Sequence, residues 1–175
     1  ANEEVIGKVP RAGEEDVNLA VKSAKEALVT WQNTDSKERI ALVEKLSQEM
    51  TKRVEEFSDM IVKELGRGKK FALDYHTLPY IEDTNNFIKI AKSYEFEEDF
   101  GDYLIRKEPV GVVAALTPWN YPLGQITSKV IPALLAGNTL VLKPSQQTPM
   151  VAYILADAVH SAGFPKGVFN LVTGA

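Results

Sequence analysis

From residue 109 onward, short apolar runs alternate with segments of helix length, and this alternation narrows the possible folds more than any other feature. After Glu108-Pro109, residues 110–116 read as a strand and 122–136 as a helix ended by Gly137-Asn138. Residues 139–142 read as a second strand and 168–172 as a third. The helix between them starts at Thr148-Pro149, a cap residue followed by a first-position proline, and stops at Gly163. Strands that are apolar throughout and separated by helices predict a parallel sheet covered on both faces. In an open sheet of this kind, ligands bind beyond the carboxyl ends of the strands. Two segments fall at that edge. Thr117-Pro118-Trp119-Asn120-Tyr121-Pro122 follows the first strand, and Lys143-Pro144-Ser145 follows the second.

The preceding residues are mainly helical in pattern. Val5-Ile6-Gly7-Lys8-Val9 reads as an edge strand, and Glu14, Glu15 and Asp16 then place acids where a helix N-terminus favours them. Val17, Ala20, Val21, Ala24, Ala27, Leu28 and Trp31 recur at three- and four-residue steps, the mark of an amphipathic helix. Asp35 or Ser36 is placed to cap a second helix, with Ile40, Val43, Leu46 and Met50 on its apolar face. A third carries Phe57, Ile61 and Leu65 and is stopped by Gly66. Residues 71–92 are helical in pattern but interrupted by Pro79, which either starts a new helix or kinks a long one. Composition shifts at Tyr94, and residues 95–107 read as a protruding β-hairpin arm. The division expected is a helical part (1–93), the arm (94–108) and the α/β part (109–175).

Composition excludes several classes of function. The net charge is −4, so nothing draws the chain to nucleic acid. Arg67, Lys69 and Lys70 form the densest basic cluster, and a solvated loop accounts for it. There is no cysteine among the 175 residues, which removes disulfides, thiolate metal sites and a thiol nucleophile from this stretch. No apolar run approaches the roughly 18 residues of a membrane span. No leader pattern opens the chain, and a cytoplasmic location is expected.

Chemistry concentrates at the sheet edge. Asn120 lies between Pro118 and Pro122, which restrict the flanking backbone, and a carboxamide held in one direction is suited to stabilising an oxyanion. An asparagine in a turn also serves as a local backbone cap. Lys143 offers a cation just past a strand end, and a solvated lysine is the plain alternative. Trp119 is either a cleft residue or a core anchor. Tyr121, Gly124, Gln125 and Ser128 share one helix face, with core packing as the competing role. His76 and His160 have no second ligand at useful spacing and read as surface or helix-packing residues. No Walker loop or complete Gly-x-Gly-x-x-Gly occurs.

Pro118-Trp119-Asn120-Tyr121-Pro122, followed at this spacing by Lys143-Pro144-Ser145, resembles the aldehyde dehydrogenase family. Glu4-Val5-Ile6-Gly7, Glu108-Pro109-Val110-Gly111-Val112, Ala136-Gly137-Asn138-Thr139 and residues 163–170 are similar to family segments in the same order. The resemblance implies a Rossmann-like parallel sheet that binds NAD or NADP, with Asn120 in the oxyanion hole and Lys143 on the adenosine ribose. It also implies cofactor contacts for Thr117, Pro118, Trp119, Ser145 and Gln146, and a substrate tunnel along Tyr121, Gly124, Gln125 and Ser128. With two small residues and one polar residue on that face, the tunnel is expected to be wider or wetter than an all-aromatic one. Lys129 matches a basic residue near the active centre, a proton-relay candidate. Gln146 departs from the glutamate common in relatives, which leaves the cofactor preference open. The arm is similar to the hairpin through which subunits of this family associate, as dimers or tetramers. The family's reactive cysteine would lie beyond Gly174-Ala175, and residues upstream of Ala1 are expected too. The expectation is therefore the N-terminal segment of an enzyme that oxidises an aldehyde to a carboxylic acid, inactive alone. An acylating or phosphate-reducing member of the superfamily, or a truncated assembly module, stands as the alternative.

Overall fold

The computed structural model describes residues 4–174. Five helices come first: α1 (Glu14–Trp31), α2 (Ser36–Lys52), α3 (Val54–Leu65), α4 (Lys69–His76) and α5 (Leu78–Ser93). A hairpin of β1 (Glu97–Asp99) and β2 (Leu104–Arg106) follows. The remainder is β3 (Val112–Leu116), α6 (Pro122–Leu135), β4 (Thr139–Lys143), α7 (Met150–Ala162) and β5 (Phe169–Leu171). The strands β3, β4 and β5 are parallel neighbours in that order, as the alternation predicts.

Local signals set most of the boundaries. The Asp35 carboxylate accepts from the Lys37 N–H (2.7 Å) and caps α2. Gly66, with φ 67°, ends α3 in the left-handed conformation that glycine adopts without strain. Pro79 starts a helix and does not kink one. The chain breaks at Thr77 (φ −124°, ψ −68°), and the proline falls in the first turn of α5, where its missing N–H costs nothing.

Two expectations fail. Residues 5–9 form no strand, and Val5 is 81% exposed. Their β-branched side chains favour extended backbone, but a strand also needs a ladder partner. The segment meets the end of the sheet after residue 9, where the Thr173 hydroxyl donates to the Pro10 carbonyl (2.8 Å) and the Ala12 N–H donates to the Thr173 carbonyl (2.7 Å). At the start of α7, Thr148 does not cap. Pro149 holds the cap position, and the Thr148 hydroxyl is buried without a hydrogen-bond partner. Glu64 of α3 takes the cap instead, accepting from the Met150 N–H (2.7 Å) and the Val151 N–H (3.4 Å). A carboxyl group presents two oxygens and meets both N–H groups, where a hydroxyl presents one.

Side-chain alternation divides the sheet between two apolar layers. Leu140, Leu142, Val113 and Ala115 join the main core with α2, α3, α5, α6 and α7. Val112, Val141 and Val172 pack with Ala20, Val21 and Ala24 of α1 on a second layer. Cover on both faces is complete only along the first four residues of β4, which are all buried. On β3, Leu116 remains 66% exposed at the carboxyl end. The buried Arg39 side chain ties α2 to the far end of α6 by donating to the Leu135 carbonyl (3.0 Å), and its guanidinium lies 5.5 Å from the Phe96 ring at the base of the hairpin.

Candidate functional site

Leu116 pairs with Lys143 in the parallel register, and the Thr117 N–H then donates to the Lys143 carbonyl (3.2 Å). The two segments singled out above therefore leave the sheet side by side at its carboxyl edge. Beyond β4, the Val172 N–H donates to the Leu142 carbonyl (2.9 Å), which brings the end of β5 to the same edge.

On the β3 side, Thr117 is buried while Pro118, Trp119, Asn120 and Tyr121 are exposed. Trp119, 52% exposed, is not a core anchor among the described residues. The Asn120 carboxamide makes no hydrogen bond to any described residue. Its placement comes from the backbone, which Pro118 restricts on one side and Pro122, first residue of α6, on the other. No side chain caps α6, so its first N–H groups are left for another acceptor. Tyr121 is held by packing: its ring stacks on His76 with centroids 4.7 Å apart and planes 15° apart. His76 is buried and also meets Phe71 at 5.4 Å. It is thus a helix-packing histidine, and its Nδ1 has no partner. Burial, and then the Arg67 charge, hold its pKa below the ordinary histidine value, so the imidazole is neutral near pH 7.

On the β4 side, side chains fix the loop. The half-buried Lys143 ammonium donates to the carbonyls of Pro144 (3.3 Å) and Gly174 (3.2 Å). Ser145 Oγ accepts from the Gln147 N–H (3.2 Å), closing a local turn, and Gln146 is exposed. Beyond that turn lies the Glu64 cap. Burial pushes the Glu64 carboxyl up to about 7, against the two N–H groups that favour its charged form.

The α6 face is not uniform. Gly124 is buried, and a Cβ there would lie 2.3 Å from Tyr80 Cζ of α5. The space left by the glycine is occupied by the Tyr80 ring, so the extra width expected at this position is absent. Gly124 and Ser128 border a cleft of about 290 Å³ that Tyr80, Asp83, Phe87 and Thr127 also line. Gln125 is tied instead to Lys129, whose Nζ donates to the Gln125 Oε1 (3.0 Å) and carbonyl (3.1 Å). His160 is exposed on α7, and of the basic cluster Lys69 pairs with Glu55 and Asp59 while Lys70 pairs with Asp74. Among the described residues no cluster of three His, Asp or Glu could hold a metal ion, and no helix is long and apolar enough to cross a membrane.

Three residues shape this edge without having been singled out for it. Glu64 carried a usable signal, an acid three residues after Ile61 on a buried helical stripe. His76 ended a helix rich in aromatic residues. Tyr80 carried none, because its partner Gly124 is remote in sequence.

Polar loops emerging together at the carboxyl edge of a parallel sheet, with crossover helices behind them, define a Rossmann-like α/β fold. The model of the aldehyde dehydrogenase family matches residues 1–175. The chain belongs to that family. A Staphylococcus aureus (strain USA300) protein named "Putative aldehyde dehydrogenase" is 41% identical over 177 residues, covering 99% of this chain. The chain spans 37% of the length of that curated relative. Among solved structures, an aldehyde dehydrogenase from Bartonella henselae superposes with a TM-score of 0.95 at 37% identity, over 99% of this chain and 37% of its own. A cysteine-to-alanine mutant of aldehyde dehydrogenase C from Pseudomonas syringae, complexed with NAD+ and octanal, gives 0.96 at 38% identity, over 99% and 36%.

Proposed function

We propose that these residues are the cofactor-side portion of an NAD(P)-dependent aldehyde dehydrogenase that oxidises an aldehyde to a carboxylic acid. The observation that carries the reading is the emergence of the Asn120 and Lys143 segments side by side at one sheet edge, in a chain of this family. The residues present fit a dinucleotide. Lys143 commits two donors to carbonyls, which leaves its third for a ribose hydroxyl. Ser145 and exposed Gln146 add polar groups alongside, and Thr117, Pro118 and Trp119 form the facing wall. A bound nicotinamide would supply the hydride acceptor. Asn120 donates from its amide to the oxygen of the reacting carbonyl as negative charge develops there. The amide has no hydrogen-bond partner among the described residues to give up for that task. The attacking thiolate is supplied from outside these cysteine-free residues.

Gln146 admits NADP+ as well as NAD+, because a neutral amide does not repel a 2′-phosphate. The Gln146→Glu variant of the whole enzyme should lower kcat/KM for NADP+ selectively, and an equal loss with both cofactors contradicts this. The hairpin supplies the subunit contact, since Phe100, Tyr103, Leu104 and Ile105 are exposed apolar side chains along it. A cytoplasmic location belongs to the same proposal and is checked by cell fractionation. The function is tested by following reduction of NAD+ and NADP+ with a panel of aldehydes. The whole enzyme should turn over, and the 175-residue polypeptide alone should not. Steady turnover by the isolated polypeptide contradicts the mechanism.

A further inference from the structure

Tyr80 of α5 packs its ring end against Gly124 on α6 and lines the cleft that Gly124 and Ser128 border. The ring is aimed at the α6 backbone. Built at Gly124, a Cβ would meet Cζ, Cε1 and Cε2 of Tyr80 at 2.3, 2.4 and 2.7 Å. The side chain is half-buried, and its hydroxyl makes no hydrogen bond to any described residue. Burial pushes the phenol pKa up, with Tyr121 and then Asp83 adding to the effect, so the group stays a neutral donor at working pH. The ring end sits at Gly124, three residues after Tyr121. The same ring lines the cleft of about 290 Å³ that runs along α6 past Gly124 and Ser128. Asp83 on the same wall makes an anionic tail unfavourable there.

We propose that Tyr80 is a specificity-determining residue of the aldehyde pocket. Its ring limits the length of the acyl chain, and its unpaired hydroxyl selects short, uncharged aldehydes that carry an oxygen acceptor. The inference rests on the aldehyde dehydrogenase reading. The hydroxyl reaches solvent in the open cleft, and a substrate that fills the cleft takes that contact away; a substrate oxygen opposite the hydroxyl restores the hydrogen bond, whereas a methyl group does not. Tyr80 thus acts on the choice of substrate, while Asn120 acts on the reacting carbonyl.

The test uses the whole enzyme and a nearly isosteric pair, 3-hydroxypropanal and butanal, with octanal as a long competitor. In Tyr80→Phe the ratio of kcat/KM for 3-hydroxypropanal over butanal should fall about tenfold. In Tyr80→Leu, which shortens the ring while keeping the site apolar, the ratio for octanal over butanal should rise. An unchanged hydroxyl-to-methyl ratio in Tyr80→Phe, with the parent active, overturns the role of the hydroxyl. An unchanged chain-length ratio in Tyr80→Leu overturns the role of the ring. A parent enzyme that oxidises none of the three overturns the proposed function, and this inference with it.

Discussion

The two loops at the sheet edge are built in opposite ways. The loop after β4 is fixed by its side chains: Lys143 on two carbonyls, Ser145 on the Gln147 N–H, and Glu64 closing the next helix. The loop after β3 is fixed by its backbone, between two prolines, and presents Trp119 and Asn120 outward with no hydrogen bond from any described residue to their side chains. A group that recognises a large, constant ligand benefits from being preorganised by many contacts. A group that must meet a transient charge is most effective with its donor uncommitted until that charge appears. The contrast supports the proposal that the loop after β4 binds the cofactor and the loop after β3 serves the reaction.

The largest effect expected is on the reaction side. In the whole enzyme, Asn120→Ala should lower kcat by roughly 10²–10³-fold, because an oxyanion donor acts mainly in the transition state. An unchanged kcat, measured where chemistry limits the rate, removes Asn120 from that role and breaks the contrast.

The next effect tests the packing behind the reaction loop. Gly124→Ala should destabilise the protein by about 1–3 kcal/mol in denaturant titrations, because the added methyl meets the end of the Tyr80 ring. Combining it with Tyr80→Leu should recover most of the loss. Full stability of the single variant would show that the ring moves aside freely.

A smaller and pH-dependent effect sharpens the binding side. The Glu64 carboxyl is raised above its ordinary 4.5 to about 7 in the folded chain. The native state therefore holds the proton longer than the unfolded one. Its stabilising contribution is fully present below pH about 4.5 and is lost as pH rises through about 7. Glu64→Gln should remove that slope, worth about 1–2 kcal/mol for a group still partly solvated. Parallel stability–pH curves for parent and variant would contradict it.

Local rules made much of this architecture legible. Asp35, Gly66, Gly163 and Pro79 each act through the few residues around them, and the period of the apolar side chains located α6, β4 and α7. The edge itself was legible because strand ends follow from strand positions. What escaped depends on contacts between distant segments. The Thr148 hydroxyl lost its cap to a carboxylate from α3, and residues 5–9 lacked a ladder partner that no local pattern reports. The width beside Gly124 could not be read from α6 alone, since a glycine announces space but not the ring that fills it.

The division of labour between the two loops is tested most directly by the NAD+ dissociation constant of the whole enzyme, measured by titration calorimetry in Asn120→Ala and Lys143→Met side by side. Lys143→Met should weaken binding about tenfold or more, through loss of a charge-assisted donor, and Asn120→Ala should stay within about twofold of the parent. Equal weakening in both variants, or none in Lys143→Met, would contradict the account.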